Sequence, residues 1–153
     1  MTFRLQRVLP VLAIFLGMSL SLPAWGQSTG NWTLFGGALL SNPSGFVVGG
    51  GLGLNLTRHV DFEPTIAFGR KGNNGVFTLD GSFLYNFHLS STRIVPYVLG
   101  GVGLAEIGGI THGSPIVGFG ARFPLQHGFY VRPEVRIAGD GLSRFTIGIS
   151  KSF

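Results

Sequence analysis

The stretch "VFTLDGSFLYNFH" (76–88) has two unlike faces. Its odd positions hold Phe77, Leu79, Gly81, Phe83, Tyr85 and Phe87, and its even positions hold Val76, Thr78, Asp80, Ser82, Leu84, Asn86 and His88. A period of two is the geometry of a β-strand, in which successive side chains leave opposite sides of the sheet. "FYVRPEVRI" (129–137) repeats the pattern, with Phe129, Val131, Pro133, Val135 and Ile137 against Tyr130, Arg132, Glu134 and Arg136. In "VDFEPTIAFGR" (60–70), Val60, Phe62, Pro64, Ile66 and Phe68 oppose Asp61, Glu63, Thr65, Ala67 and Gly69.

Alternation continues in both directions from these segments. Strands are expected over 31–40, 46–56, 60–70, 76–88, 93–106, 115–125, 129–138 and 143–153, with loops at 41–45, 71–75, 107–114 and 139–142. No segment carries a helical stripe over three turns. The Gly-rich interiors oppose a helix as well, since each Gly costs about 1 kcal/mol there. Eight strands of roughly ten residues match the ~9–11 residues of a tilted membrane-crossing strand. An even count returns both ends of the sheet to one side.

The location of the charges separates a membrane barrel from a soluble one. Only 11% of the residues are charged, against about 25% in ordinary soluble domains. A wetted polar face would be rich in Lys and Glu. After residue 26 there are only two lysines, Lys71 at a turn and Lys151 near the end. Asp61, Glu63, Asp80, Glu106 and Glu134 lie within strands, and so do Arg122, Arg132, Arg136 and Arg144. Unpaired buried charge is very costly, so a nearly balanced set of Arg and carboxylate fits a narrow interior knitted by ion pairs. The apolar faces then point outward into lipid. Closure removes the sheet edges that hydrocarbon could not satisfy. The expected fold is an all-β, eight-stranded antiparallel up-and-down transmembrane barrel. Trp32, Tyr85 and Tyr97 are expected in interfacial aromatic belts. The facing of 93–106 stays open, because Val98, Val102 and Leu104 share a face with Glu106.

The first 26 residues read as an address. "MTFRLQR" is basic, "VLPVLAIFLGMSLSL" is apolar, and "PAWGQ" offers the small residues Ala24 and Gly26 before Gln27. This is the pattern of a cleaved secretory signal peptide, leaving 27–153 as one barrel domain. The absence of Cys rules out a disulfide framework and thiolate metal sites. The formal charge of +5 includes Arg4 and Arg7 of that leader, and the other basic residues are dispersed, so nucleic acid is not an expected partner.

The final segment, "SRFTIGISKSF" (143–153), places Phe145, Ile147, Ile149 and Phe153 on one face. It resembles the assembly signal of bacterial outer-membrane barrels, with Lys151 as a departure that can snorkel at an interface. "VPYVLGGVGLA", "FYVRPEVRI" and "LTRHVDFEP" are similar to strands of the small outer-membrane β-barrel family related to the N-terminal domain of outer-membrane protein A. The resemblance covers about 31–153. It implies a Gram-negative outer membrane and an even number of strands. It implies no single activity. The expected partners are outer-membrane lipids and lipopolysaccharide, periplasmic chaperones and the barrel assembly machinery, and the chain is expected as a monomer, although nothing in the sequence fixes its oligomeric state.

The expected function is therefore non-enzymatic: a structural barrel, or a very small gated or plugged pore. One rival is a lipid hydrolase of the lipid A deacylase type, built from Ser, His and an acid. The candidate pairs are His112 with Ser114, with Glu106 near in sequence, and His88 with Ser90 at the periplasmic side. A second rival is a secreted lipocalin-like binder of small apolar ligands. His88, His112 and His127 have no metal-ligand spacing, and no cofactor or metal is expected.

Overall fold

A computed structural model describes residues 30–153. The expected leader over 1–26 lies outside the described residues. The strands are β1 (Gly30–Leu39), β2 (Gly45–Asn55), β3 (Val60–Lys71), β4 (Asn74–Asn86), β5 (Val95–Ile107), β6 (Ile110–Pro124), β7 (Phe129–Ala138) and β8 (Arg144–Ser152). Each pairs antiparallel with its neighbour in sequence, and β8 returns to β1 (Phe35 opposite Gly148), closing the barrel in up-and-down order. The start of β1 and the end of β8 share one rim, here the terminal rim, with the connections 56–59, 87–94 and 125–128. The opposite loop rim carries 40–44, 72–73, 108–109 and 139–143.

Local chemistry makes the loop-rim turns tighter than the sequence pattern suggested. The expected loop over 107–114 is a two-residue hairpin: Ile107 pairs with Ile110, and Gly108 and Gly109 have φ of 58° and 90°. Such a turn needs positive φ at both central positions, which two glycines supply without strain. Residues 110–114 consequently extend β6. The expected 71–75 loop is likewise only residues 72–73, with Gly72 at φ 58°. Between β2 and β3 the pairing skips from Gly51–Thr65 to Leu54–Phe62, around Pro64, which has no N–H to give the ladder.

The barrel is the reverse of a water-soluble one. Leu34, Phe68, Phe83, Val117, Phe119 and Ile147 all project outward and are exposed, and Val102 is 70% exposed. Asp61, Glu63, Asp80, Arg132, Glu134, Arg136 and Arg144 are all buried. In water the charged groups would be outside, because their desolvation is costly.

The open facing of β5 is settled, with two corrections. Tyr97, Leu99 and Ala105 point inward and are buried, whereas Val98, Val102 and Leu104 are exposed outside. Tyr97, expected in an aromatic belt, is 1% exposed in the lumen. Glu106, expected in the lumen, has outward parity and is half-buried. It stands two residues before the Gly108–Gly109 hairpin, at the loop rim, where an outward carboxylate meets water instead of hydrocarbon. Close packing also explains a glycine in this strand: a methyl group on Gly101 would collide with the backbone carbonyl of Gly81.

Val102 lies near the middle of β5 on the outer face. Val102→Arg should destabilise the barrel by about 2–4 kcal/mol in urea refolding into lipid vesicles, the cost of a cation near the bilayer midplane. The same substitution at Ile110, on the loop rim, should cost about 1 kcal/mol or less.

Candidate functional site: a charge-packed lumen

Strand alternation aims Asp61, Glu63 and Thr65 of β3, Thr78, Asp80 and Ser82 of β4, Arg132, Glu134 and Arg136 of β7 and Arg144 of β8 at the barrel axis. At the centre, Arg132 forms a fork on Glu63: one Nη1 bond, and a second from Nη2 to Oε1 at 2.9 Å. The same Nη2 reaches Glu134 Oε2 at 2.7 Å, and Arg132 Nε donates to the Tyr97 hydroxyl at 2.7 Å. That hydroxyl in turn donates to Glu134 Oε2 at 2.6 Å. Arg136 donates to Glu134 through Nε and to Glu63 Oε1 through Nη2 at 3.0 Å. Glu63 and Glu134 are thus each shared by two guanidinium groups.

The mesh continues toward both rims. On the loop-rim side, Arg136 Nη1 lies 3.4 Å from Asp80 Oδ2 and 3.2 Å from Thr65 Oγ1. Arg144 bonds Asp80 and donates to Thr78 Oγ1 at 3.1 Å. On the terminal-rim side, Arg122 donates to Asp61 at 2.8 Å and to Asn86 Oδ1 at 3.1 Å, and Asn86 donates to Asp61 at 2.9 Å. Arg122 is the most solvated of the four guanidiniums, with its side chain 15% exposed. Four arginines face four carboxylates, so the lumen is formally neutral. Tyr97 sits between two of the arginines, with the Arg122 and Arg132 guanidiniums 5.4 and 4.9 Å from its ring centroid. Gly120 makes that possible, because a Cβ there would strike the Tyr97 hydroxyl.

Apolar side chains fill the rest. Leu39, Val47, Ala67, Val76, Ala105 and Leu142 cluster beneath the loop rim, with Phe35 and Ile107 against them. Leu142 comes from the β7–β8 connection, which Leu142 N ties to Asp140 Oδ1 at 2.9 Å. A second cluster joins Leu84, Tyr97, Leu99 and Ile116. Small spaces of about 20 and 10 Å³ lie within the lumen, the first bordered by Asp80, Arg136, Leu142 and Arg144 and the second by Thr33, Glu63, Arg132 and Glu134. Neither admits more than a water-sized group.

The remaining expected site residues lie on the outside. Trp32 and Tyr85 are near the terminal rim, the former in edge contact with Phe129 at 6.3 Å, the latter 48% exposed. Phe145, Ile147 and Ile149 project outward, and Phe153 N donates to Gly30 O at 3.0 Å, tying residue 153 to β1. Lys151 Nζ is 5.0 Å from the Phe129 ring centroid. Ser114 is buried, His112 is exposed near the hairpin tip, and Glu106 projects from the opposite face of the sheet, so these three are not gathered. Among the described residues no group of three His, Cys, Asp or Glu has metal-binding placement. Five uncharged partners of the mesh lie outside the charge network expected from sequence: Tyr97, Asn86, Thr65, Thr78 and Thr33, whose Oγ1 accepts from Arg132 Nη1 at 3.2 Å. Tyr97 alternates with the outward Val98, a signal that the ambiguity at Glu106 obscured.

Comparison with solved structures gives the same architecture. The N-terminal β-barrel domain of Pseudomonas aeruginosa OprF superposes with a TM-score of 0.71, at 16% identity over 84% of this chain and 99% of that one. Neisserial surface protein A gives 0.61, at 13% identity over 82% and 96%. The Yersinia pestis outer membrane protein Ail gives 0.57, at 14% identity over 83% and 100%. No protein-family model and no curated protein matches the chain. Identities this low establish the fold, which is that of small outer-membrane β-barrels, and leave the activity to be argued from this chain's residues.

Arg132→Met should cost about 3–5 kcal/mol in equilibrium unfolding from lipid vesicles, because it leaves Glu63 and Glu134 to share the one guanidinium of Arg136 and gives the lumen an uncompensated negative charge. Tyr97→Phe removes one hydroxyl that both donates and accepts and should cost about 1–3 kcal/mol.

Proposed function

We propose that the chain is an integral protein of the bacterial outer membrane, non-enzymatic and closed to solute flow, serving as a structural barrel. The filled lumen carries this proposal. An eight-stranded barrel leaves an interior just wide enough for side chains. Here every charged group in it is bonded to an opposite charge, and the apolar cluster with Leu142 covers the loop-rim end. A solute would have to break several charge-assisted bonds in a low-dielectric space, each stronger than a neutral hydrogen bond.

Residues 1–26 would direct export, and the outward Phe145, Ile147, Ile149 and Phe153 would engage the barrel assembly machinery after passage with periplasmic chaperones. The protein would then be a monomer among outer-membrane lipids and lipopolysaccharide. Trp32, Tyr85, Phe129 and Lys151 suit an interface at the terminal rim, where amphipathic rings and a snorkelling Lys reach headgroups. A lipid hydrolase is less favoured because Ser114, His112 and Glu106 are divided between two faces. A soluble carrier of apolar ligands is less favoured because the apolar surface is outside and the lumen spaces are of water size.

In planar bilayers the wild-type protein should show no steady conductance. Replacing Glu134 and Arg136 together by Ala, which opens the centre of the mesh while keeping the formal charge neutral, should produce measurable openings. A large, stable channel in the wild type would overturn the closed-barrel proposal.

A further inference from the structure

The terminal rim brings together two histidines that are far apart in sequence. His59 lies in the β2–β3 connection and His88 just beyond β4. Their Nδ1 atoms are 3.4 Å apart, with the rings at 73° and their centroids at 5.2 Å. Such a contact can hold at most one ring proton between the two nitrogens, so one Nδ1 presents its lone pair to the other.

Both positions are held by the fold. Thr57 Oγ1 accepts from the backbone N–H groups of His59 at 3.2 Å and Val60 at 3.0 Å, fixing the turn. The His59 carbonyl accepts from Asn86 N at 2.7 Å, extending the β3–β4 ladder to the residue beside the site. The His59 ring stacks on Tyr85, with centroids 6.0 Å apart and planes at 18°. The carbonyl oxygen of Asn86 lies 3.3 Å from His59 Nδ1, so an oxygen flanks the nitrogen pair. Arg58, adjacent in sequence, is the nearest cation along the chain.

We propose that His59 and His88 form a surface site for a divalent first-row transition metal, Zn²⁺ in particular, that ties the β2–β3 connection to the start of the β4–β5 connection. Imidazole suits Zn²⁺, Cu²⁺ and Ni²⁺. Two nitrogens each about 2.0–2.1 Å from one tetrahedral Zn²⁺ stand about 3.4 Å apart, the separation already present between these two Nδ1 atoms. Zn²⁺ would take the place of the proton between the two Nδ1 atoms, with His59 passing to its Nε2–H tautomer and giving up its contact with the Asn86 carbonyl, and the outer coordination positions would fall to water, because both side chains are at the exposed rim. The sequence pattern did not suggest this, since the histidines it compared were His88, His112 and His127, and the fold pairs His88 with His59 instead.

The test is Zn²⁺ titration by calorimetry of the tag-free protein refolded in detergent micelles, together with His59→Ala, His88→Ala and His127→Ala. Heat-modifiable gel migration of each variant reports that the barrel has closed. The wild type should take up one Zn²⁺ per chain in a saturable manner. His59→Ala and His88→Ala should each weaken binding by about tenfold or more, whereas His127→Ala, in another connection on the same rim, should bind as the wild type does. Absence of saturable uptake by the wild type, or wild-type affinity in folded His59→Ala or His88→Ala, would overturn the site. In ¹⁵N spectra the metal should shift Nδ1 of both rings, and a shift at Nε2 instead would contradict the geometry.

Discussion

The structure depends on the mutual neutralisation of four guanidinium groups and four carboxylates inside a closed sheet. A buried charge without a partner costs several kcal/mol, and a pair repays that cost only when its geometry is good and its other lone pairs are satisfied. Here the geometry is shared. Glu63 and Glu134 each serve Arg132 and Arg136, Asp80 serves Arg136 and Arg144, and Tyr97, Thr33, Thr65 and Thr78 take up further N–H groups. The mesh also defines which face of each strand is inside. Because the side-chain period is two, sliding a strand by one residue would send Arg132, Glu134 and Arg136 into lipid and Val131, Pro133 and Val135 into the lumen. Apolar residues on both faces would have made such a slip cheap.

The outer surface is the complement of that constraint. Hydrocarbon supplies no hydrogen-bond partners, so the backbone must be paired all round, and β8 returning to β1 completes the pairing. The exposed Leu, Val, Ile and Phe side chains that would promote aggregation in water become the solvated surface in lipid. Glycines admit what the mesh requires: Gly120 leaves room for the Tyr97 ring, and Gly101 lets β4 and β5 approach.

Much of this was legible in the residues. The faces of β3, β4 and β7 follow from Phe62, Phe83 and Val135 alternating with Asp61, Asp80 and Arg132, because charge and hydrocarbon tolerate no compromise there. The facing of β5 was not legible. Glu106 shares a face with Val98, Val102 and Leu104, and only the Gly108–Gly109 hairpin shows that Glu106 has reached the rim. Tyr97 suits an interface as well as a lumen, since its ring is apolar and its hydroxyl polar, and its partners come from β7, far off in sequence. The start of β6 was missed because Thr111, His112 and Gly113 have loop-like composition, although a pair of glycines is itself a hairpin signal. The meeting of His59 and His88 depends on the β3–β4 register and has no local signature.

Because the chain has no cysteine, single cysteines can be placed and labelled without background. The most direct measurement is the accessibility of fluorophores at Phe83, Val102 and Val117, and at Thr65 and Thr78, in protein folded in lipid vesicles. Labels at the first three positions should be quenched by bromine carried on lipid acyl chains and shielded from aqueous iodide, while cysteines at Thr65 and Thr78 should resist labelling in the folded barrel. Quenching of the first three by iodide and not by brominated lipid would contradict the account, because the face assigned to hydrocarbon would then be in water.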